Sequence, residues 1–134
     1  MLSIKDLCKS YISTEGNHKV LNNLNLDVSQ GDSLALIGES GSGKSTLLNI
    51  IAGLEKPSSG TIWVDGIELW SIKEFERAKI RREKMAVIFQ QFNLIPSLKI
   101  KQNIEFHARL NRNIDIKFIN DVIFRLGLED ILEK

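Results

Sequence analysis

Polar and apolar positions alternate most cleanly between Leu24 and Val28, where Asn25 and Asp27 separate Leu24, Leu26 and Val28. A period of two predicts a strand with one covered face. Ser3 to Tyr11 predicts a first strand before it, and Ser13 to His18, with Gly16 and Asn17, a polar turn. Two runs are apolar without alternation: Leu34 to Ile37, after a turn at Gln30, Gly31 and Asp32, and Met85 to Phe89. Such runs predict strands covered on both faces, as in parallel sheets. Leu47, Leu48, Ile50 and Ile51 predict an apolar helix that Gly53 closes. After a loop from Lys56 to Gly60, Thr61–Val64 and Ile67–Trp70 flank Asp65 and Gly66, a hairpin signal. Ser71 to Lys84 predicts a charged helix with Ser71 as N-cap and Glu74 three residues on. Two further helices are predicted, near Lys101–Leu110 and over Asp115–Leu126. In the second, Ile116, Ile119, Ile123 and Leu126 form one stripe and Gly127 is the stop. Strands alternating with helices predict an α/β class.

Composition changes this picture little. The chain has 134 residues, 43% hydrophobic and 26% charged, which suits one globular domain or part of one. Its 18 basic and 17 acidic side chains leave a net charge of +1, which gives no electrostatic reason to expect a nucleic-acid partner. The single cysteine, Cys8, can form no internal disulfide and reads as a half-buried strand residue. No apolar run approaches the ~20 residues of a membrane span, so a cytoplasmic location is expected, with any membrane link made through a partner. His18 and His107 lack metal-ligand spacing, Trp63 and Trp70 read as packing residues, and the charges from Lys73 to Lys84 read as a solvated helical face.

The strongest chemical signal is Gly38, Glu39, Ser40, Gly41, Ser42, Gly43, Lys44, Ser45, which fits G-x-x-x-x-G-K-[ST] at every fixed position. It follows a predicted buried strand and opens a predicted helix. Gly38 lets the chain turn out of the strand, and Gly41 and Gly43 let the backbone curl with positive φ. The loop N–H groups then form a nest for anionic oxygens, reinforced by the free amides at the helix start. Lys44 is expected to reach the β- and γ-phosphates and Ser45 to place its hydroxyl on Mg²⁺. The pattern implies nucleoside triphosphate binding and leaves open which P-loop chemistry follows.

Beyond the loop, the sequence resembles the ATP-binding subunits of ABC transporters. The resemblance rests on Leu21 to Leu26, on Gly31 and Asp32, and on Ile37 through Thr46 to Leu48. It extends through Gly53 to Gly60, Val87 to Pro96, and Asn103 with Ile104. Arg81 and Arg82, followed by the Phe89 to Pro96 run, are most similar to the branch serving lipoprotein release, macrolide export and antimicrobial-peptide export. The resemblance implies a P-loop NTPase of the ABC ATPase type. It would have an N-terminal antiparallel β subdomain, an incomplete core sheet and the start of a helical subdomain. Residues 1–89 would form the core and β subdomain, 90–98 the Q-loop, and 99–134 the start of the helical subdomain. It implies that Tyr11 stacks on adenine, that Thr46 completes the nucleotide-binding set, and that Gln90 touches Mg²⁺ and the attacking water. ATP and Mg²⁺ are the implied cofactors. The implied partners are a transmembrane permease subunit or domain docked at the Q-loop, and a second nucleotide-binding subunit. The chain would then be peripheral on the inner face of the membrane. Lys99 stands where the family often has a helix-capping threonine, a local difference of about 1 kcal/mol.

The sequence contains no Leu-Ser-Gly-Gly-Gln signature and no apolar run ending in Asp-Glu. In the family the signature, the Walker B aspartate, the catalytic glutamate and the switch histidine follow later. No catalytic residue is therefore expected within 1–134, and hydrolysis by this chain alone is not expected. The strands that normally lie between the Leu34 and Met85 segments are also later ones, so exposed apolar edges and marginal stability are expected. Alternatives are a non-catalytic ATP-binding module or a non-functional remnant.

Overall fold

The computed structural model describes every residue except Glu15, Phe92 and 111–113, and the side chain of His107. Phe92 of the expected Q-loop and the His107 side chain therefore lie outside the described residues. The chain forms two compact units, Met1–Val87 and Ile88–Lys134.

In the first unit, β1 (Leu2–Ser13) and β2 (Gly16–Val28) make a long antiparallel hairpin, and β3 (Ser59–Val64) and β4 (Ile67–Glu68) make a short one. β3 pairs antiparallel with β1, giving a sheet of order β2-β1-β3-β4. The Ser13–His18 segment is tighter than a polar turn over its whole length, because Asn17 and His18 already pair with Ile12 and Tyr11. The turn between β3 and β4 matches its sequence signal. Asp65 and Gly66 both have positive φ (48° and 79°), the twist that suits a two-residue hairpin.

β1 departs from a simple period of two. Ile4 and Leu7 are three residues apart, yet both are buried in the core. A bulge explains it: Ile4 faces Leu26 and Leu7 faces Leu24, so Asp6 is an extra residue, held at φ 51°. Asp6 N–H donates to Asn25 Oδ1 at 3.0 Å, which satisfies the amide that the bulge takes out of the ladder. Gly60 lies against this bulge with φ 91°, and a Cβ there would sit 2.5 Å from the Asp6 carbonyl oxygen and 2.6 Å from Leu7 Cα.

Helix α1 (Lys44–Ile51) covers the sheet. Leu47 and Ile50 join Ile4, Leu7, Leu21, Ile62 and Leu69 in one core. Gly53, at φ 66°, closes the helix as expected, its N–H donating to Ile50 O at 3.0 Å. Helix α2 (Glu74–Lys84) begins later than its sequence suggests. Ser71 Oγ donates back to Glu68 O, so the cap passes to Lys73, whose N–H donates to Glu76 at 3.0 Å. The charges on α2 are not merely solvated. Arg77 lies 4.2 Å over the Trp70 ring and donates to Leu69 O, while Arg81 donates to Gly53 O at 2.8 Å. Glu74 bridges both guanidinium groups, Arg77 and Arg81, at 2.6 Å. Trp70 packs against the core as expected, but Trp63 is 41% exposed.

The two continuous apolar runs do not become buried strands. Residues 33–40 and 85–89 carry no strand pairing, and Ile37 and Ile88 are 94% and 98% exposed. A strand needs hydrogen-bonding neighbours, and among the described residues neither run has one. Leu36 and Met85 alone lean on the core.

The second unit holds α3 (Ile100–Leu110), α4 (Ile116–Arg125) and a short 3-10 turn at Glu129–Ile131. Lys99 at the head of α3 makes only the reciprocal half of a capping box: its N–H donates to Gln102 Oε1 at 2.9 Å. The amides of Ile100 and Lys101 donate to Lys134 O and Leu132 O. Asp115 caps α4 through Phe118 N–H, and Gly127 at φ 62° ends it. Of the expected stripe on α4, Ile119 and Ile123 are buried, but Ile116 and Leu126 are about two-thirds exposed (66% and 65%), because the buried face is narrower than the periodic one.

The Gly60 contact generates a stability prediction. Gly60→Ala and Gly66→Ala both place alanine at positive φ, but a Cβ at Gly66 meets nothing within 4 Å. Gly66→Ala should cost about 1 kcal/mol. Gly60→Ala should cost at least about 2 kcal/mol more, because backbone must move. Denaturant unfolding of the two variants side by side checks the difference.

Candidate functional site

The loop from Gly38 to Gly43 leaves the unpaired segment and turns sharply, with Ser42 N–H donating to Glu39 O at 3.3 Å. Gly43, the residue before α1, is at φ 89° and is buried against β2. A Cβ on Gly43 would lie 2.8 Å from Val20 Cγ1 and 3.2 Å from Leu21 Cδ2. Only glycine therefore lets the helix start this close to the sheet. The first helical bond to the cap is Leu47 N–H to Gly43 O at 2.9 Å, so the amides of Lys44, Ser45 and Thr46 have no earlier carbonyl within the helix. No acidic side chain stands in that first turn to oppose the positive end of the dipole.

Lys44 folds back across this loop. Its ammonium donates to the carbonyls of Gly38 (2.8 Å) and Glu39 (2.6 Å) and to Ser42 Oγ (3.2 Å). The loop's own oxygens thereby hold the cation over the turn. Glu39, Ser40, Gly41, Ser42 and Ser45 are exposed around it, and Thr46 is half-buried. Ser45 offers an exposed hydroxyl in the first helical turn, one hard oxygen suited to a divalent cation beside phosphate. Among the described residues, no group of three or more His, Cys, Asp and Glu side chains could hold a metal by itself.

Tyr11, from the far end of β1, reaches the same helix. Its hydroxyl lies 3.4 Å from Thr46 Oγ1 and donates to Glu55 Oε1 at 2.5 Å. Lys9 pairs with Glu55 at 2.9 Å, donates to Lys56 O at 2.7 Å, and stands 4.9 Å over the Tyr11 ring. Lys9 and Glu55 are missed by sequence reasoning. They lie far apart in the chain and share no periodicity, and only the pairing of β1 with the segment before β3 brings them together. Burial pushes the Glu55 carboxyl up, but the Tyr11 hydroxyl and the Lys9 ammonium outweigh it, so the group titrates below its ordinary value of 4.5. His18 is exposed on β2. Cys8 accepts from Asn23 N–H at 3.2 Å and is half-buried, a strand residue as expected.

Residues 21–134 match the ABC transporter family. The chain belongs to that family. It is 43% identical over 105 residues to the uncharacterized ABC transporter ATP-binding protein MJ0796 of Methanocaldococcus jannaschii, covering 78% of this chain and 45% of that protein. It is 38% identical to the macrolide export ATP-binding/permease protein MacB of Shigella flexneri, covering 99% of this chain and 21% of that one. The solved dimeric, post-hydrolysis MJ0796 cassette bound to ADP and Pi superposes with a TM-score of 0.86 at 34% identity, over 99% of this chain and 60% of that chain. The chain thus spans about half the length of the first relative and about a fifth of the second. These likenesses bear out the α/β P-loop fold of an ABC ATP-binding domain, seen here as its N-terminal portion. Among the described residues no helix is long and apolar enough to cross a membrane.

Gln90 belongs to the second unit, where it is exposed. In that unit Asn103 braces the following loop: its Oδ1 accepts from Ile95 N–H at 2.8 Å and its Nδ2 donates to Leu98 O at 2.9 Å.

The lowered Glu55 pKa predicts a pH dependence. A carboxylate depressed in the folded state contributes stability above its ordinary pKa of 4.5 and loses it as pH falls through the folded value. The melting-temperature gap between the wild type and Glu55→Gln should be widest near neutrality and close on acidification below that range. Thermal melts of both proteins across the pH series check it.

Proposed function

We propose that this chain is the ATP- and Mg²⁺-binding portion of a nucleotide-binding subunit that powers an ABC transporter. The observation that carries the reading is the loop at Gly43: a glycine packed on Val20 and Leu21, a helix start without acidic side chains, and Lys44 held over the turn. On this reading Gly38, Glu39, Ser40, Gly41, Ser42 and Gly43 wrap the phosphates with their amides. Lys44 contacts the β- and γ-oxygens, and Ser45 and Thr46 complete the cradle. Ser45 is the proposed Mg²⁺ ligand of the loop, and Gln90 is proposed as a second on the family resemblance alone. Tyr11 offers its ring to the adenine, a flat π-face for a flat base.

ATP supplies the driving chemistry when bound. No residue of 1–134 is assigned as the base that activates water. On this reading nucleotide binding is the work of this segment. A non-catalytic ATP-binding module is the alternative with the same site. The similarity to MacB supports export as the direction and a permease as the partner. The Q-loop region, about residues 90–98, is the proposed permease contact, which would place the chain at the inner face of the membrane. The dimeric relative supports pairing with a second nucleotide-binding subunit.

Lys44→Ala should weaken ATP·Mg binding at least about tenfold, the scale of one charge-assisted contact to phosphate. Titration calorimetry on wild type and variant checks it, and equal affinities would contradict the reading.

A further inference from the structure

Tyr11 is not a free aromatic at a loop tip. Its hydroxyl donates to Glu55, Glu55 pairs with Lys9 at 2.9 Å, and Lys9 lies 4.9 Å over the ring. Lys9 is in turn tethered to Lys56 O at 2.7 Å, and Ser10 N–H donates to Ser58 Oγ at 3.0 Å. The Lys9 and Glu55 side chains are only 14% and 26% exposed, whereas Tyr11 is 41% exposed. The pair is therefore mostly withdrawn from water while the ring is offered to it.

Two physical consequences follow. A tyrosine with free χ angles loses rotamer entropy when a base stacks on it, whereas a ring already held loses little. A cation over one face also leaves the opposite face for a flat ligand. The ring is fixed at its hydroxyl end and covered on one side, and Thr46 at 3.4 Å ties it to the helix that carries the phosphate loop.

We infer that Lys9 and Glu55 are positioning residues for base recognition: they lock the Tyr11 ring beside the first turn of α1, ready for the adenine of a bound nucleotide. The inference rests on the proposed ATP site. It adds that base affinity depends on two side chains that need touch neither phosphate nor base.

The test separates the base from the phosphates. Affinities for ATP·Mg and for inorganic tripolyphosphate with Mg²⁺ are measured for wild type, Tyr11→Ala, Glu55→Ala, Glu55→Gln and Lys9→Met. Far-UV circular dichroism and thermal melts report whether each is folded. Tyr11→Ala should lose roughly tenfold or more in ATP affinity, the order of one base–aromatic stack, with tripolyphosphate binding unchanged. Glu55→Ala and Lys9→Met should each lose about three- to tenfold for ATP only, part of that same stacking loss. Adding Glu55→Ala to Tyr11→Ala should produce no further loss, since the pair acts through the ring. Glu55→Gln keeps an acceptor for the hydroxyl and should fall between wild type and Glu55→Ala; with Lys9→Met it carries the test if Glu55→Ala does not fold.

Parallel loss of both ligands would mean a structural role and overturn the inference. So would a weakened Tyr11→Ala beside unchanged Glu55 and Lys9 variants. Tyr11→Ala binding ATP as well as wild type would overturn it too, with the phosphate site left standing. If the wild type binds neither ligand, the nucleotide reading beneath it fails instead.

Discussion

Helix α1 can lie on the sheet only because Gly43 has no side chain. Leu47 and Ile50 pull the helix into the core formed with Ile4, Leu7 and Ile62, which brings its N-cap, Gly43, against Val20 and Leu21 of β2. With a Cβ 2.8 Å from Val20, the start of the helix would have to lift away, and the loop from Gly38 onward would lose its fixed end. The packing of an ordinary hydrophobic core thus sets where the loop amides and Lys44 stand. The positive φ at Gly43 lets the chain enter α1 from a turn that faces outward.

The same core carries the second half of the site. The bulge at Asp6 keeps Leu7 facing inward, and Gly60 lets β3 approach that bulge closely. The chain just before β3 then runs beside β1, where Ser58 N–H donates to Cys8 O at 2.9 Å. That contact brings Glu55 and Lys56 alongside Lys9 and Tyr11. Tyr11 reaches Thr46 because β1 extends beyond its core-forming part. One sheet thus positions both the phosphate loop and the aromatic ring, which meet at α1.

Much of this was legible beforehand, for physical reasons. The phosphate loop and the Asp65–Gly66 hairpin depend on local backbone conformations that few residues other than glycine adopt, so they leave a mark at fixed spacing. Helix α4 carries its cap, Asp115, and its stop, Gly127, in adjacent residues. What stayed hidden depends on contacts between distant segments. The Lys9–Glu55 pair and the hold of Arg81 on the Gly53 carbonyl have no local signal. The buried strands expected at residues 34–37 and 85–89 show the converse. Their apolar runs state a demand for neighbours, and a backbone without neighbours does not form a strand however apolar its side chains. The exposure of Ile37 and Ile88 is that demand left unmet among the described residues.

The central claim is that one loop, set by Gly43 and flanked by Tyr11, receives a nucleoside triphosphate. The most direct measurement is an amide chemical-shift titration of the labelled chain with ATP·Mg. The account predicts that the largest shifts fall on the backbone amides of Gly41 to Thr46, with a second set at Tyr11. Saturating shifts confined to other parts of the chain, or none at millimolar nucleotide, would contradict it.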